Sequence, residues 1–194
     1  AMNNGEFMRG KYPHKRLKIY IYKNYPEGRM TVTDGLILQD YRYVDSLHTQ
    51  TRTMGDSTRE VLGYTCQQAT ADFRGRHWTA WFATDIPVSD GPWKLGGLPG
   101  LILEAYDRGD DYRYTAVRIV ESDLDPVTFY CFDGEPFFDT DRRTFLRSQR
   151  AFLSGQGNVY DIELIRAIVQ SGRRKTYMQR EAHRLLFDPL ERDY

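Results

Sequence analysis

Asp90-Gly91-Pro92-Trp93-Lys94-Leu95-Gly96-Gly97-Leu98-Pro99-Gly100-Leu101-Ile102-Leu103-Glu104-Ala105-Tyr106-Asp107 is the stretch around which this chain is organised. Its first half concentrates glycine and proline, and its second half switches abruptly to Leu-Ile-Leu, an apolar run of strand type. Pro92 and Pro99 fix their own φ and push the residues before them toward extended backbone, while Gly96, Gly97 and Gly100 permit positive φ or close backbone approach. The stretch therefore reads as a specified loop delivered into a strand. Residues 101–106 and 112–120 form the clearest hairpin in the chain, because Asp107-Arg108-Gly109-Asp110-Asp111 between them is a short polar loop containing glycine.

Working outward, residues 61–73 and 76–84 read as strands joined by a tight turn at Arg74-Gly75. On the second of them Trp78, Ala80 and Phe82 share one face, and His77, Thr79 and Trp81 the other. Further upstream, 17–22 and 30–33 make a first hairpin across Pro26 and Gly28, followed by short strands around 36–38, 41–44 and 47–53. Downstream, 127–132 adds one more strand, closed by Asp133-Gly134. From Thr140 the period becomes helical: Thr140 is the expected cap, Asp141 lies in the first turn, and Phe145, Leu146, Gln149, Phe152 and Leu153 follow on one stripe. Further helices are expected over 158–171 and 175–187. The fold class is thus α+β, a curved antiparallel β-sheet or half-open barrel with C-terminal helices packed on it. Residues 1–16 are expected to form a flexible N-terminal segment or an expression scar, and 17–194 one domain, with the meander over 17–137 and the helical part over 138–194.

Length and charge narrow the functional classes. The 194 residues suffice for one domain with a substantial core, and 27 basic residues balance 27 acidic ones. No global field steers the chain to nucleic acid, which is not expected as a partner. No apolar run reaches the roughly 20 residues of a membrane-spanning helix, so no transmembrane segment is expected. Fourteen tyrosines and ten phenylalanines suit pleated surfaces. His14, His48, His77 and His183 are scattered and no Cys-x-x-Cys occurs, so neither a metal site nor a cofactor is expected. Residues 91–100 lack the order of a phosphate-binding loop and precede a strand instead of a helix. No nucleophile elbow is present, and the paired carboxylates Asp85 and Asp90, or Asp110 and Asp111, are explained by turn chemistry. A catalytic role is left with Cys66 or a serine joined to His77 or His48 by the fold.

Gly97-Leu98-Pro99-Gly100-Leu101-Ile102 match, letter for letter, the motif for which the GLPGLI family of Bacteroidota is named. Gly63-Tyr64-Thr65-Cys66, Ala69-Thr70, Phe73-Arg74-Gly75-Arg76, Thr79-Ala80-Trp81 and Ile86-Pro87-Val88-Ser89-Asp90-Gly91-Pro92-Trp93-Lys94 resemble its flanking pattern in order, and the resemblance extends more faintly through Thr140-Asp141-Arg142-Arg143 and into the ending Asp188-Pro189-Leu190-Glu191. The family has no assigned biochemical function. The resemblance implies export to the periplasm by a signal peptide absent from the sequence given; the meander together with export is similar to the architecture of periplasmic lipoprotein carriers. In that oxidising compartment Cys66 and Cys131 are compatible with a disulfide, two buried thiols being the alternative.

A recognition surface is what the residues themselves favour. Trp81, Trp93, Lys94, Gly97, Leu98, Pro99 and Gly100, supported by Arg74 and Arg76, combine aromatic area, donors and a preorganised loop. The expected function is a periplasmic or secreted binding module without catalysis, taking an apolar ligand or an outer-envelope protein; the alternative is a hydrolase-type enzyme. Lys94 is expected to be an exposed charge whose reversal leaves stability nearly untouched.

Overall fold

The computed structural model describes residues 19–36, 39–124, 126–128, 137–154 and 190–193. Among the described residues, strands β1 (Tyr20–Lys23), β2 (Arg29–Leu36), β3 (Gln39–Ser46), β4 (Thr51–Val61), β5 (Tyr64–Phe73), β6 (Arg76–Ala83), β7 (Leu101–Asp107), β8 (Arg113–Thr115) and β9 (Phe138–Asp139) precede one helix, α1 (Arg142–Ser154). The strands form two sheets of order β1-β2-β3-β9 and β4-β5-β6-β7-β8. Antiparallel structure dominates as the sequence indicates, but the meander does not stay one curved sheet: it breaks between β3 and β4, and β9 pairs with β3 in parallel. The half-open barrel is thereby replaced by two open sheets. The expected helices over 158–171 and 175–187 lie outside the described residues.

In the first sheet, Ile21, Val32 and Tyr43 stand in one cross-strand row, and Lys23, Met30 and Asp45 in the next row on the same face. Helix α1 covers this face with Phe145 and Leu146, both buried, and the Phe145 ring lies 5.5 Å from those of Tyr41 and Tyr43. Each such side chain stabilises by roughly 1.5–3 kcal/mol through burial. The helix starts where it does because the Asp141 carboxylate accepts the Thr144 amide at 3.0 Å. Asp141, not Thr140, is therefore the cap; the amide of Thr140 is spent on the Arg42 carbonyl at 3.0 Å, the spacing of an ordinary backbone bond.

The second sheet is the meander that the sequence indicates, with different strand ends. The expected strand over 61–73 is interrupted at Leu62-Gly63, where both residues have positive φ and turn β4 into β5. Arg74 and Gly75, with φ of 54° and 75°, make the expected tight turn between β5 and β6. β8 stops at Thr115 rather than near 120, and residues 127–128 are not strand. A bulge in the β6–β7 pairing, where Trp81 faces Glu104 but Phe82 faces Ile102, makes Leu103 an extra residue. Ile102 and Ala105 consequently pack with Trp78, Ala80 and Phe82 on one face, while Leu103 packs with Cys66 and Trp81 on the other.

Candidate functional site

The stretch from Asp90 to Gly100 covers the Trp78 face of the second sheet and reaches across to the first. Its tip is a turn in which the Leu95 amide donates to the Pro92 carbonyl at 3.0 Å, with Trp93 held at a φ of 49°. Left-handed backbone at a bulky residue is costly, of order 1 kcal/mol or more, so packing must enforce it. The Trp93 ring sits 5.6 Å from both Phe73 and Trp78, and Leu95 and Leu98 are buried beside it. The turn is closed by Lys23, whose ammonium donates to the Asp90 carboxylate at 2.5 Å and to the carbonyls of Gly91 and Leu95 at 2.6 and 2.7 Å. Burial lowers the pKa of Lys23 against the pull of Asp90.

Two glycines of the motif are required by contact. At Gly97, with a φ of 75°, a Cβ would overlap the guanidinium of Arg52, which donates Nε to the Gly96 carbonyl at 3.0 Å. At Gly100 a Cβ would overlap the carbonyl oxygen of Ala83, so the loop can rejoin the sheet only where there is no side chain. The expected close approach at Gly100 is present, without a positive φ there.

The turn aims Lys94 inward, and here the structure corrects the sequence reading. Lys94 is 0% exposed. Its ammonium lies 2.8 Å from Asp45 and 2.6 Å from Glu191, and donates to the Tyr43 hydroxyl at 3.2 Å. Arg74 holds the other oxygen of Asp45 at 2.7 Å, Arg142 holds the other oxygen of Glu191 at 2.6 Å, and Asp193 meets both guanidiniums. Three cations thus interlock with three carboxylates. Burial works against the charge of Asp45, but Lys94, Arg74 and the Ser46 amide together hold its carboxyl below its usual range. Burial and the neighbouring carboxylates push the Tyr43 phenol well above its ordinary value. A little further along the same face, burial raises Asp34 to about 6 despite the Gly35 and Gln149 hydrogen bonds.

Arg76 is likewise inside, 2.5 Å from Asp107 and 3.2 Å from the Leu190 carbonyl that it donates to. Of the expected surface, then, Arg76, Lys94, Leu98 and Gly100 are internal, Arg74, Trp93 and Gly97 are half-buried, and Pro99 is exposed. Trp81 is not part of this assembly. Strand alternation puts it on the opposite face of the second sheet, under the guanidinium of Arg59, 4.2 Å from its ring centre, with Glu104 pairing to both Arg59 and Arg113.

Asp45, Glu191 and Arg142 carry the cluster and escape sequence reasoning, since no local spacing singles them out. Only the family likeness over Thr140–Arg143 and at the ending with Glu191 offered a signal. Cys66 is buried and has no disulfide partner among the described residues, burial raises its pKa, and Cys131 lies outside those residues. Cys66 and His77 are not brought together: Cys66 faces Ala83, six residues along β6 from His77, or roughly 20 Å at strand rise. His77 instead pairs with Asp72 at 2.8 Å. Among the described residues no group of three His, Cys, Asp or Glu side chains is arranged to hold a metal ion. No helix among them is long and apolar enough to cross a membrane.

A family profile described as "N-glycanase peptide, N-terminal domain" matches residues 30–131, which include Asp45, Arg74, Arg76, Lys94 and the whole glycine-rich loop. No curated protein matches the chain. Among solved structures, PNGF-II in a C2 space group is similar at 17% identity and a TM-score of 0.47, covering 73% of this chain and 26% of that one. PNGF-II in a P21 space group is similar at 17% identity and a TM-score of 0.41, covering 61% and 22%. The chain spans about a quarter of the length of these solved chains.

Proposed function

Because the chain belongs to the family of the N-glycanase peptide N-terminal domain, we propose that it works as a binding or interaction module without catalysis of its own. The observation that carries this reading is the direction of the chemistry-bearing side chains around the motif. Lys94, Arg74, Arg76, Asp45 and Glu191 face inward and satisfy one another, which makes them a joint between the sheets and not an acid and base poised for substrate. What the fold presents outside is apolar area. Val117 is 88% exposed, Leu124 68% and Val127 87%, with Val120 between them, along one segment after β8. Read as one contiguous patch, these residues are the surface that a partner would cover.

The hexapeptide Gly97–Ile102 and its flanking residues support a place among GLPGLI proteins as well, and with it export to the periplasm, where the partner is an outer-envelope protein or an apolar ligand. The covering of one sheet face by α1 supports the likeness to lipoprotein carriers. The family description motivates the second reading, a hydrolase, through the word N-glycanase.

A pull-down from envelope extract tests the proposal, using wild type and a Val117→Ser, Val120→Ser variant matched for melting temperature. The expected result is a specific partner, or a co-purified ligand seen by native mass spectrometry, recovered with wild type and lost with the variant. Equal recovery by both removes this surface from the site. N-glycanase activity of the purified chain on a glycoprotein would overturn the non-catalytic reading.

A further inference from the structure

Leu190, Glu191, Arg192 and Asp193 reach the loop from the far end of the chain, and they are held in the way an extended peptide is held by a receptor. The Leu190 side chain packs against the cluster of Phe73, Trp78 and Leu98, and its carbonyl accepts from Arg76 at 3.2 Å. The Arg192 amide donates to the Arg74 carbonyl at 2.9 Å. Glu191, 5% exposed, enters the slot between Lys94 and Arg142, 2.6 Å from each, and Asp193 closes the rim against Arg74 and Arg142. Backbone bonds along the segment combined with pockets for individual side chains are the signature of peptide recognition.

The receptor half is charged for such a ligand. Lys94, Arg74 and Arg142 face Asp45, so the slot carries an excess of positive charge that the two carboxylates of the segment neutralise. Buried cations left unpaired are costly, and an acidic segment is therefore selected over a neutral or basic one. Asp45, Arg74, Arg76 and Lys94 all fall within the residues matched by the family, whereas the segment that fills the slot lies beyond them.

We infer that this slot is a docking site for an acidic peptide of Leu-Glu-x-Asp pattern on a partner protein, and that residues 190–193 are a plug which occupies it in cis. The inference rests on reading the chain as a binding module, and it names the chemistry of the partner. Exchange follows the ordinary competition of a tethered ligand: the tether gives the plug a high local concentration, and weakening the plug raises the apparent affinity for the free peptide.

The probe is a fluorescently labelled peptide with the sequence of residues 188–194, followed by anisotropy against the full chain. Asp193→Asn removes one rim carboxylate, and Leu190→Ala with Asp193→Asn weakens the plug further. Both are checked for folding by circular dichroism. The variants should bind the peptide at least tenfold more tightly than wild type, with weakening in salt, and a peptide carrying Glu191→Lys should not bind. In wild type, excess peptide should speed amide exchange at Arg192 by displacing the plug. Folded variants that bind no tighter than wild type, equal binding of both peptides, or an Arg192 amide indifferent to the peptide would each overturn the docking site. No envelope partner enters this titration, so its outcome is independent of the pull-down with the Val117 and Val120 variant.

Discussion

Two assemblies of cations and carboxylates lie on opposite sides of the second sheet, and they differ in what surrounds them. On the loop side Lys94, Arg74 and Arg142 meet Asp45 and Glu191 with side-chain exposures of 0, 14, 11, 7 and 4%. On the outer side Arg59 and Arg113 flank Glu104 with exposures of 33 and 43% on the cations. The residue types are alike, yet the first assembly closes a joint between elements from both sheets, the helix and the chain's far end, while the second decorates a single sheet. Burial turns the same pairing from a surface detail into a structural requirement, because a charge removed inside leaves its partners without water.

Lys94→Glu should break the contrast most severely. It places a third carboxylate between Asp45 and Glu191 and removes the cation common to both. Removing one partner of a buried pair costs about 3–5 kcal/mol, and reversal should cost at least that much. Urea unfolding of Lys94→Glu beside Lys94→Met is the measurement; a loss below about 1 kcal/mol in both, the size expected of a surface pair, would erase the distinction between the two faces.

The motif was legible as a structural element, and its side chains were misread for a physical reason. The switch from Gly-Pro to Leu-Ile-Leu located the loop and β7, and alternation on β6 put Trp81 opposite Trp78 correctly. Sequence adjacency then tempted the joining of Trp81 to Trp93, which the same alternation forbids. Lys94 looks exposed because a lone lysine in a glycine-rich loop usually is. Its burial depends on a left-handed Trp93 and on carboxylates 49 residues before it and near the chain's end, and no local pattern encodes that. β4 escaped because its run of Thr, Arg, Gly and Asp has one polar face and weak alternation on the other. The break into two sheets escaped because register, not composition, decides which strands pair.

Gly100→Val tests whether the loop side depends on backbone contact as much as on charge. The added side chain would meet the Ala83 carbonyl, and neither backbone can yield without opening the β6–β7 edge. A loss of roughly 2–3 kcal/mol is expected, with melting temperature falling accordingly. An unchanged melting temperature would mean that the loop is less tightly seated than its contacts indicate.

Asp34→Asn should act in the opposite direction. Its folded-state pKa of about 6 stands above the 3.8 of an unperturbed carboxyl, so the folded chain binds this proton more tightly than the unfolded chain does. Stability conferred by that proton is complete below the unfolded value and falls as pH rises through the folded one. Asn keeps the neutral shape, and at pH 7 it should stabilise by about 1–2 kcal/mol, a figure already discounted for partial solvation. The gain over wild type should vanish near pH 3.5 in urea titrations. Asp45 has the reverse linkage, its lowered pKa conferring stability above 3.8 that is lost as pH falls, so the two carboxyls on one sheet face titrate in opposite senses.

Arg59→Ala should be the mildest change, and it examines the outer face directly. The guanidinium lies over the Trp81 ring and pairs with Glu104, but Arg113 also pairs with Glu104 and would retain it. Partly exposed pairing and cation–π stacking contribute about 0.5–1 kcal/mol each at most, and they share one side chain, so the total loss should stay near 1 kcal/mol. The more telling readout is access. Trp81 is only 7% exposed, whereas Trp78 is buried on the other face and Trp93 is packed against it. Truncating Arg59 should therefore raise acrylamide quenching of tryptophan fluorescence by uncovering Trp81 alone, with melting temperature almost unchanged. A large loss of stability without a rise in quenching would show the outer assembly to be as structural as the inner one, and the contrast between the two faces would fall.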